Sequence, residues 1–349
     1  MKKIVRIGGG SSAQVLRGLK RLADTQVTAV VPMSDSGGSS GVLRNQWGVL
    51  PPSDALRSLL ALSDLPEDEL RGVAQFLRYR LSGNGLGGHA VGNLLIAGFE
   101  RYTGSFEEAV RAMAQALCVR DHRVIPVTTG NAHAFAKLSD GTIVEGETHI
   151  DIPQPGRPVL PITSFWLQPK VQATEAALQA IAEADVVVIG PSDLYSSIGC
   201  CLAVDGIAEA LRCTKAPLAF VVNLTTKRGE TGGFEGGHPD YRALEFLHVL
   251  EAWINRSIEW VIFNNESLPD DVITRYAAES AVPVASGDLI TMRSRCGQQS
   301  FCAGVAEIVT QEDGRRFVRH NARKTAQIIG LIVGTIFQHG ARRDLDAVA

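Results

Sequence analysis

Three short turns rich in glycine and serine, each following a run of apolar residues, carry the residue types that bind phosphate groups. They are Gly8–Ser12, Asp35–Gly41 and Gly190–Asp193. Glycine lets backbone N–H groups approach an anion with no Cβ in the way, and serine hydroxyls supply further donors. Each turn alone could be an ordinary connection. Together, at the ends of predicted strands, they predict one anion-binding crevice.

The second of these turns also contains an acid, Asp35. A carboxylate beside a phosphate is repelled unless it holds a metal ion, a sugar hydroxyl or a proton. We therefore expect Asp35 to contact a sugar, to bind a metal or to take part in catalysis. Asp193, at the end of the third turn, supplies a second carboxylate. A metal site shared by Asp35 and Asp193 is one hypothesis.

Polar residues stand at two further places where they could face a ligand. Asn223 ends a predicted strand, where its amide could recognise a base or a sugar. His89 and Asn93 are four residues apart, so on a helix that starts there they would share one face near its N-terminus. The alternative for His89 is a capping role at the end of the glycine-rich loop Gly83–Gly88.

Motif spacing argues against several common kinds of site. The first turn lacks both the G-x-x-x-x-G-K pattern of a P-loop and the G-x-G-x-x-G pattern of a dinucleotide fold. Neither an H-E-x-x-H pair nor a C-x-x-C pair occurs, so no zinc site is predicted. The six cysteines are expected to be free thiols in a reducing compartment.

Composition and charge narrow the class of protein. The chain has 349 residues, 45% of them hydrophobic and 20% charged, which is typical of a soluble folded protein. A net charge of −3 gives no general attraction for nucleic acid or for an anionic membrane. The first apolar run ends at Gly8, too early for a secretory signal. We expect a cytoplasmic protein with no nucleic-acid partner.

The elements that must position these residues follow from the hydrophobic pattern. Short apolar runs alternate with longer amphipathic ones, as strands alternate with crossover helices. This predicts an α/β fold, a three-layer Rossmann-like and mostly parallel sheet with helices on both faces. The predicted strands are Ile4–Ile7, Val27–Pro32, Asp185–Ile189, Leu218–Asn223 and Ile258–Asn264. The predicted helices include Glu67–Arg80, Val91–Tyr102, Ser105–Leu117, Gln172–Ala184, Ala203–Arg212, Pro239–Asn255 and Asn321–Phe337.

One small hairpin interrupts this alternation. Alternating apolar and polar residues over Ala132–Leu138 and Thr142–Ile150 flank the turn Ser139–Gly141, which predicts two antiparallel strands. We assign this hairpin to an insertion, residues 118–170. The insertion belongs to a single nucleotide-binding domain over residues 1–340, which is followed by a tail at 341–349.

The last apolar segment, Ala326–Phe337, is shorter than the roughly 20 residues that a membrane-spanning helix needs. We expect it in the core or at an oligomer interface, and a homodimer is one expectation. The spacing of Gly330 and Gly334 indicates that a neighbouring backbone packs closely there.

Several motifs follow one another in order along most of the chain. They are Ile7–Gly10, Ser34–Gly41 with Leu43 and Arg44, Pro51–Asp54, Gly88–Leu94, Asp140–Glu147, Ile189–Pro191, Asn223–Thr226 with Gly229–Thr231, and Phe263–Asn265. This succession, over roughly residues 4–323, resembles the CofD/YvcK superfamily. The motifs Gly37–Gly41, Gly229–Thr231 and Val318–His320 are similar to those of its YvcK-like gluconeogenesis-factor branch.

The resemblance implies one of two functions. Transferases of the CofD branch move a phospholactyl or phosphoenolpyruvyl group from a guanosine diphosphate donor to a deazaflavin alcohol, typically with magnesium. Proteins of the YvcK-like branch bind UDP-sugars in the cytoplasm and regulate carbon metabolism and cell-envelope synthesis. The second function is the one expected here. A 2-phospho-L-lactate transferase-like enzyme that uses a GDP-linked donor and magnesium is the alternative.

The resemblance also implies roles for two late residues. The YvcK-like branch holds its UDP-sugar partly with a tyrosine and an arginine, which correspond to Tyr276 and Arg319. An arginine can form forked hydrogen bonds to a diphosphate, and a tyrosine ring can stack on a base. A threonine that is phosphorylated in that branch corresponds to Ala322, so we expect this regulation to be absent.

Some positions depart from the family pattern. The family usually has two adjacent aspartates where this chain has Asp35 and Ser36. It also has an arginine where this chain has Val42, and glycines at the positions of Ser12, Ser53 and Ser192. Losing one carboxylate removes a hard oxygen ligand and should weaken magnesium binding. This favours a protein that holds its ligand over one that transforms it.

The expected nucleotide- and sugar-binding residues are Gly9, Gly10, Ser11, Ser12, Asp35, Gly37, Gly38, Ser39, Ser40, His89, Asn93, Ser192, Asn223, Tyr276 and Arg319. Asp35 is the candidate catalytic residue, and Asp35 with Asp193 forms the candidate metal site.

Overall fold

A computed structural model describes residues 1–10, 13–83, 85–286, 299–311 and 313–346. The strands are β1 (Lys2–Ile7), β2 (Thr25–Val31), β3 (Arg123–Pro126), β4 (His133–Leu138), β5 (Ile143–Glu145), β6 (Ile162–Gln168), β7 (Val186–Ile189), β8 (Leu218–Val221), β9 (Trp260–Asn264), β10 (Gln299–Ala303), β11 (Ala306–Thr310) and β12 (Arg316–His320).

The helices are α1 (Ala13–Leu19), α2 (Gly38–Trp47), α3 (Ser53–Leu62), α4 (Glu67–Arg78), α5 (Val91–Thr103), α6 (Phe106–Ala116), α7 (Glu147–Asp151), α8 (Glu175–Ala182), α9 (Cys200–Leu202), α10 (Ile207–Cys213), α11 (Ala243–Ile254), α12 (Asp270–Ala278) and α13 (Ala322–Asp346). A π-helix, Leu194–Gly199, leads directly into α9.

The core of the molecule is a parallel seven-stranded sheet with the strand order β10-β9-β8-β7-β1-β2-β3. All residues of β7 and of β8 are buried, because helices cover both faces of the sheet. The α/β prediction is therefore confirmed. Two smaller antiparallel sheets accompany it: β5-β4-β6, and the pair β11-β12.

Sequence periodicity located the central strands well and the peripheral ones poorly. Each of the five predicted strands is present, with its ends within two residues of the prediction. Strand β3, strand β6 and all strands after β9 were not predicted. These strands are short or lie at sheet edges, so few of their residues form a continuous apolar run.

The predicted hairpin is only partly correct. Its first strand is β4, but the second strand stops after Glu145, and Glu147–Asp151 is helix α7. Gly146 adopts a φ of 91°, a left-handed conformation that breaks the strand and turns the chain. Strand β4 also pairs with β6 on its other side, which makes a three-stranded sheet.

The second glycine turn is shorter than the sequence predicted. Helix α2 begins at Gly38, so Gly38, Ser39 and Ser40 form its first turn. At the far end of the chain, α13 continues to Asp346, beyond its predicted end at Phe337. None of the helices among the described residues is both long and apolar enough to cross a membrane.

Close packing of the C-terminal helix depends on a different glycine from those predicted. Gly330 packs on Leu22, whereas the described atoms leave open space around the Cβ direction of Gly334. Helix α1 lies directly on α13, and a Cβ added to Gly18 would overlap the backbone carbonyl of Ala322. Gly18 therefore sets the distance between the two helices.

Gly18→Ala should lower the free energy of unfolding by about 1–3 kcal/mol, because the added methyl group forces α1 and α13 apart. Helix propensity alone would favour alanine by about 1 kcal/mol. Gly98→Ala is the matched control, since Gly98 is also helical but exposed with no described atom near its Cβ direction. Urea denaturation should therefore show changes of opposite sign. A stabilised Gly18→Ala variant would contradict the packing role.

Candidate functional site

The carboxyl ends of the parallel strands form a crevice where the strand order reverses. Strand β1 pairs with β2 on one side and with β7 on the other, so the loops that follow β1 and β7 leave side by side. Open α/β sheets bind ligands at such a switch point. The first and third glycine turns are these two loops.

A fully buried arginine, Arg6 in β1, connects the two loops. Its guanidinium donates hydrogen bonds to Gly8 O (2.6 Å), Gly9 O (2.8 Å), Gly190 O (3.2 Å), Pro191 O (2.9 Å) and Ser192 Oγ (2.9 Å). Burial lowers the pKa of Arg6 to about 10, so the side chain stays charged at neutral pH. One cation thus fixes both sides of the crevice.

A cavity of about 570 Å³ opens beside these loops, on the β7–β8 side of β1. Residues on α1, after β7 and β8, on α12, in β12 and at the end of α7 form its wall. They include Gln14, Asp151, Ser192, Asp193, Asn223, Thr226, Lys227, Arg228, Arg275, Tyr276, Phe317 and Arg319. We call this space the β7–β8 cavity. Its volume suits a ligand of nucleotide size, because small-molecule sites usually measure about 300–1,000 Å³.

The cavity brings together five of the predicted site residues: Ser192, Asp193, Asn223, Tyr276 and Arg319. They come from segments that are far apart in sequence, and the sheet order makes them neighbours. The Oδ1 atom of Asn223 is buried with no hydrogen-bond partner among the described residues. A buried acceptor without a donor is costly, so a ligand donor at this point would stabilise the site.

Val318 positions both the tyrosine and the arginine. The Tyr276 hydroxyl accepts a hydrogen bond from the Val318 N–H at 3.3 Å, and its ring is packed in a small core with Leu268 and Val272. Arg319 donates to Val318 O at 3.0 Å, and its guanidinium lies 5.3 Å from the centre of the Phe317 ring. Arg319 is otherwise exposed towards the cavity, so its remaining N–H groups can bind an anion.

Three carboxylates converge at one side of the cavity. The ligand atoms of Asp151, Asp193 and Glu230 lie within 4.8 Å of one another, and we call this set the acidic trio. The Lys227 ammonium is 2.6 Å from Asp151 Oδ1 and 3.7 Å from Asp193 Oδ2. Asp35 is not a member of the trio. The structure thus groups Asp193 with acids other than the partner predicted for it.

Glu230 is the most deeply buried member of the trio. One of its oxygens accepts from the backbone N–H groups of Tyr195 and Ser196, at 2.8 and 3.3 Å, and the other accepts from Ser196 Oγ at 2.6 Å. It thereby binds the first turn of the π-helix. Burial, followed by the charge of Asp193, raises the pKa of Glu230.

The first glycine turn lies beside the cavity rather than in its wall. The Gly9 N–H donates to Ser192 Oγ at 3.0 Å and the Gly10 N–H donates to Asp54 Oδ1 at 2.8 Å. Ser197 and Arg57 occupy the space where their Cβ atoms would lie. These glycines are therefore needed for packing, and their contact with a phosphate stays a prediction. Ser11 and Ser12 lie outside the described residues.

The second glycine turn lies on the β2 side of β1, across from the cavity. The Asp35 carboxylate accepts the Gly37 N–H at 2.9 Å. Ser36 exchanges hydrogen bonds with Thr148 of α7, while Glu147 accepts the Ser36 N–H at 3.3 Å. Helix α7 therefore reaches both regions, because Asp151 at its other end lines the cavity.

His89 and Asn93 support the start of α2. His89 precedes α5 instead of sharing a face with Asn93 on it, because the helix begins at Val91. His89 Nδ1 is 3.1 Å from Ser39 Oγ. Asn93 donates to Ser53 Oγ at 3.1 Å, and Ser53 in turn bonds to Ser40. Both side chains are buried and neither lines the β7–β8 cavity.

Burial raises the pKa of two carboxyl groups near Asp35. Burial raises the pKa of Glu147 to about 8, and the charges of Asp35 and Asp151 act in the same direction. Burial also raises the pKa of Asp54 to about 6, against its attraction to Arg57. Near neutral pH, Glu147 can therefore hold a proton.

A comparison with known protein families gives a match over most of the chain. Residues 4–300 match the family model described as 2-phospho-L-lactate transferase CofD.

The chain belongs to the CofD family.

Relatives within the family match along almost the whole chain. One from Thermotoga maritima is 34% identical over 330 residues, which are 94% of this chain and 98% of that protein. A gluconeogenesis factor from Halalkalibacterium halodurans is 35% identical over 336 residues, 94% of this chain and 95% of that protein. The crystal structure of protein BH3568 from Bacillus halodurans has a TM-score of 0.82 at 33% identity, and covers 94% of this chain and 99% of that one.

Sequence reasoning missed four residues that shape the site of this CofD-family chain: Arg6, Asp151, Lys227 and Glu230. Arg6 did leave a signal, as the one charge inside the apolar run Ile4–Ile7 that forms the buried part of β1. Glu230 lies in one of the family motifs, but nothing local shows that it is buried. Asp151 and Lys227 gave no signal, because their roles depend on contact between segments 76 residues apart (227 − 151).

Proposed function

We propose that this protein binds a nucleoside diphosphate conjugate, a UDP-sugar, in the β7–β8 cavity, and that the bound ligand lets it regulate carbon metabolism and cell-envelope synthesis. The observation that carries the proposal is one cavity containing both the unpartnered Oδ1 of Asn223 and the guanidinium of Arg319. An acceptor for a base or sugar and a donor for a diphosphate are the two groups that such a ligand needs.

The charges around the cavity fit a diphosphate. Four cations line it, Lys227, Arg228, Arg275 and Arg319, against three acids, of which Asp151 and Asp193 pair with Lys227 and Glu279 pairs with Arg275. The chain as a whole carries a net charge of −3, so this positive potential is local. A local cationic wall favours a small anion over a long polyanion such as nucleic acid.

The second glycine turn is positioned to contact the sugar end of the ligand. Glu147 and Asp151 lie four residues apart on α7, the first against Ser36 and the second in the cavity wall. A sugar extending from the diphosphate along α7 would approach Asp35, which can accept hydrogen bonds from its hydroxyl groups. This is the role proposed for Asp35.

The names of the relatives support regulation, since several are called gluconeogenesis factors. The description of the matching family model supports a second function, transfer of a phospholactyl-type group from a GDP-linked donor. Asp35 and the raised pKa of Glu147 would then provide acid–base groups near the transferred group. A regulator releases its ligand unchanged, whereas a transferase releases it without the transferred group.

Incubation of the purified protein with UDP- and GDP-linked compounds, with and without magnesium, distinguishes these functions. We expect a UDP-sugar to bind and to be recovered intact by mass spectrometry. Turnover of a GDP-linked donor would establish the transferase instead. Failure of every nucleotide to bind, by calorimetry as well as by mass spectrometry, would contradict the proposal.

A further inference from the structure

The acidic trio has the spacing of a divalent-cation site but does not have a free centre. Asp151, Asp193 and Glu230 place ligand atoms within 4.8 Å of one another, a distance that one bound cation would bridge. Carboxylate oxygens are the ligands that Mg²⁺ and Mn²⁺ prefer. A cation is nevertheless present, because the Lys227 ammonium lies 2.6 Å from Asp151 and 3.7 Å from Asp193.

The hydrogen bonds of Glu230 also limit how the acidic trio could bind a metal ion. Both of its oxygens already accept hydrogen bonds from Tyr195 and Ser196, in the short range of 2.6 to 3.3 Å. These bonds use three of the roughly four lone-pair positions of the carboxylate, so Glu230 keeps about one for a magnesium ion, which needs nearly octahedral coordination at about 2.0–2.1 Å. With the Lys227 ammonium bound to the other two carboxylates, the donor set as it stands does not fit a resident magnesium ion.

The acids around Lys227 keep its side-chain amine protonated. Burial alone would favour the neutral amine, but the charges of Asp193, Asp151 and Glu230 outweigh it and raise the pKa of Lys227. Arg319 lines the same cavity, and its charge also acts on the Asp193 carboxylate. A diphosphate entering the cavity would therefore meet both Lys227 and Arg319.

We propose that Lys227 is the built-in cation of this site, paired with Asp151 and Asp193 of the acidic trio in place of a divalent metal, so that nucleotide diphosphate binding needs no magnesium. This rests on the proposed function for its nucleotide half, but the claim about the trio can be tested without any nucleotide. Lys227 lines the cavity directly and serves as a ligand-binding and specificity-determining residue. Three carboxylates without it would repel a diphosphate.

The first experiment uses Mn²⁺ alone, followed by electron paramagnetic resonance. Wild-type protein should bind no Mn²⁺ at the trio, whereas Lys227→Met should gain one site per chain. Adding Asp193→Asn to Lys227→Met should abolish that site, which assigns it to the trio. Lys227→Gln is a second variant that keeps a polar side chain if the methionine variant folds poorly.

The second experiment measures affinity for a UDP-sugar, UDP-N-acetylglucosamine, by calorimetry in EDTA and in Mg²⁺. Wild-type affinity should be the same in both. Lys227→Met should bind at least about tenfold more weakly in EDTA, because a charged hydrogen bond to the diphosphate is lost, and Mg²⁺ should restore the binding. Arg228→Met is the matched control: it removes another cation from the cavity wall, but one with no ion pair to the trio among the described residues, so Mg²⁺ should not restore any binding that this variant loses.

Several results would overturn the proposal. They are Mn²⁺ binding by the wild type that Asp193→Asn abolishes, no gain of a Mn²⁺ site when Lys227 is replaced, and Mg²⁺-dependent binding by the wild type. Failure of UDP-N-acetylglucosamine to bind to any variant would count against the proposed function. It would leave the Mn²⁺ experiment as a separate test of the built-in cation.

Discussion

Arg6→Met is expected to lower the free energy of unfolding by about 3–5 kcal/mol and to abolish nucleotide binding. The reason is the number of buried acceptors that depend on one guanidinium. Four carbonyl groups, from Gly8, Gly9, Gly190 and Pro191, would lose a donor inside the protein. Each buried acceptor left unpaired costs about 1–3 kcal/mol, although relaxation of the loops recovers part of this.

The measurement is urea denaturation followed by circular dichroism, with calorimetry for the ligand. Ser192→Ala is the matched control, because it removes one Arg6 partner but leaves the four carbonyl contacts in place. It should cost roughly 1 kcal/mol. Arg6→Lys keeps the charge but cannot supply a planar set of donors to both loops, so it should resemble the methionine variant. An Arg6→Met protein as stable as the wild type would disprove the connecting role.

Arg319→Ala is expected to weaken UDP-sugar binding about 10- to 100-fold while leaving the fold intact. A charge-assisted hydrogen bond contributes about 1.5–3 kcal/mol, and each 1.4 kcal/mol is a factor of ten in affinity. The fold should be unaffected, because the Arg319 side chain is exposed and donates one hydrogen bond among the described residues, to the carbonyl of its neighbour Val318. Calorimetric titration with a UDP-sugar gives the affinity.

Arg315→Ala provides the matched control for this variant. Its guanidinium lies over the same Phe317 ring, 5.8 Å from the centre, but it pairs with Asp313 and does not line the cavity. Binding by Arg315→Ala should equal that of the wild type. Equal affinities for Arg319→Ala and the wild type would remove Arg319 from the site.

The sequence predicted the fold and one half of the site. The apolar runs that became β1, β7 and β8 are buried on both faces, so their composition alone marks them as central parallel strands. Since such strands end at one edge, Asn223 and Asp193 were expected near each other, and both line the cavity. Tyr276 and Arg319 were found through family resemblance, because neither lies at the end of a predicted strand.

The other half was misjudged because local patterns do not reveal side-chain partners. Gly9 and Gly10 have the residue types of a phosphate-binding turn, yet their N–H groups donate to Ser192 and Asp54. The loop after β2 looked like a single turn, but α2 starts inside it. Likewise His89 could equally face a ligand or a serine, and only the packing of α5 on α2 places it against Ser39.

What the sequence by itself determined is the set of elements and the edge of the sheet at which the candidate site lies. Periodicity and glycine placement are encoded within a few neighbouring residues, so they can be read directly. Only the tertiary structure decided which charges meet. Strand order places Arg6 against a loop 184 residues away and brings Lys227 to the acidic trio. These contacts are strong because they are buried, and a short segment of the chain cannot bury them by itself. The glycines and serines of the predicted phosphate-binding turns are apparent in the sequence, whereas the positions of Arg6 and Lys227 relative to their partners are set by the fold.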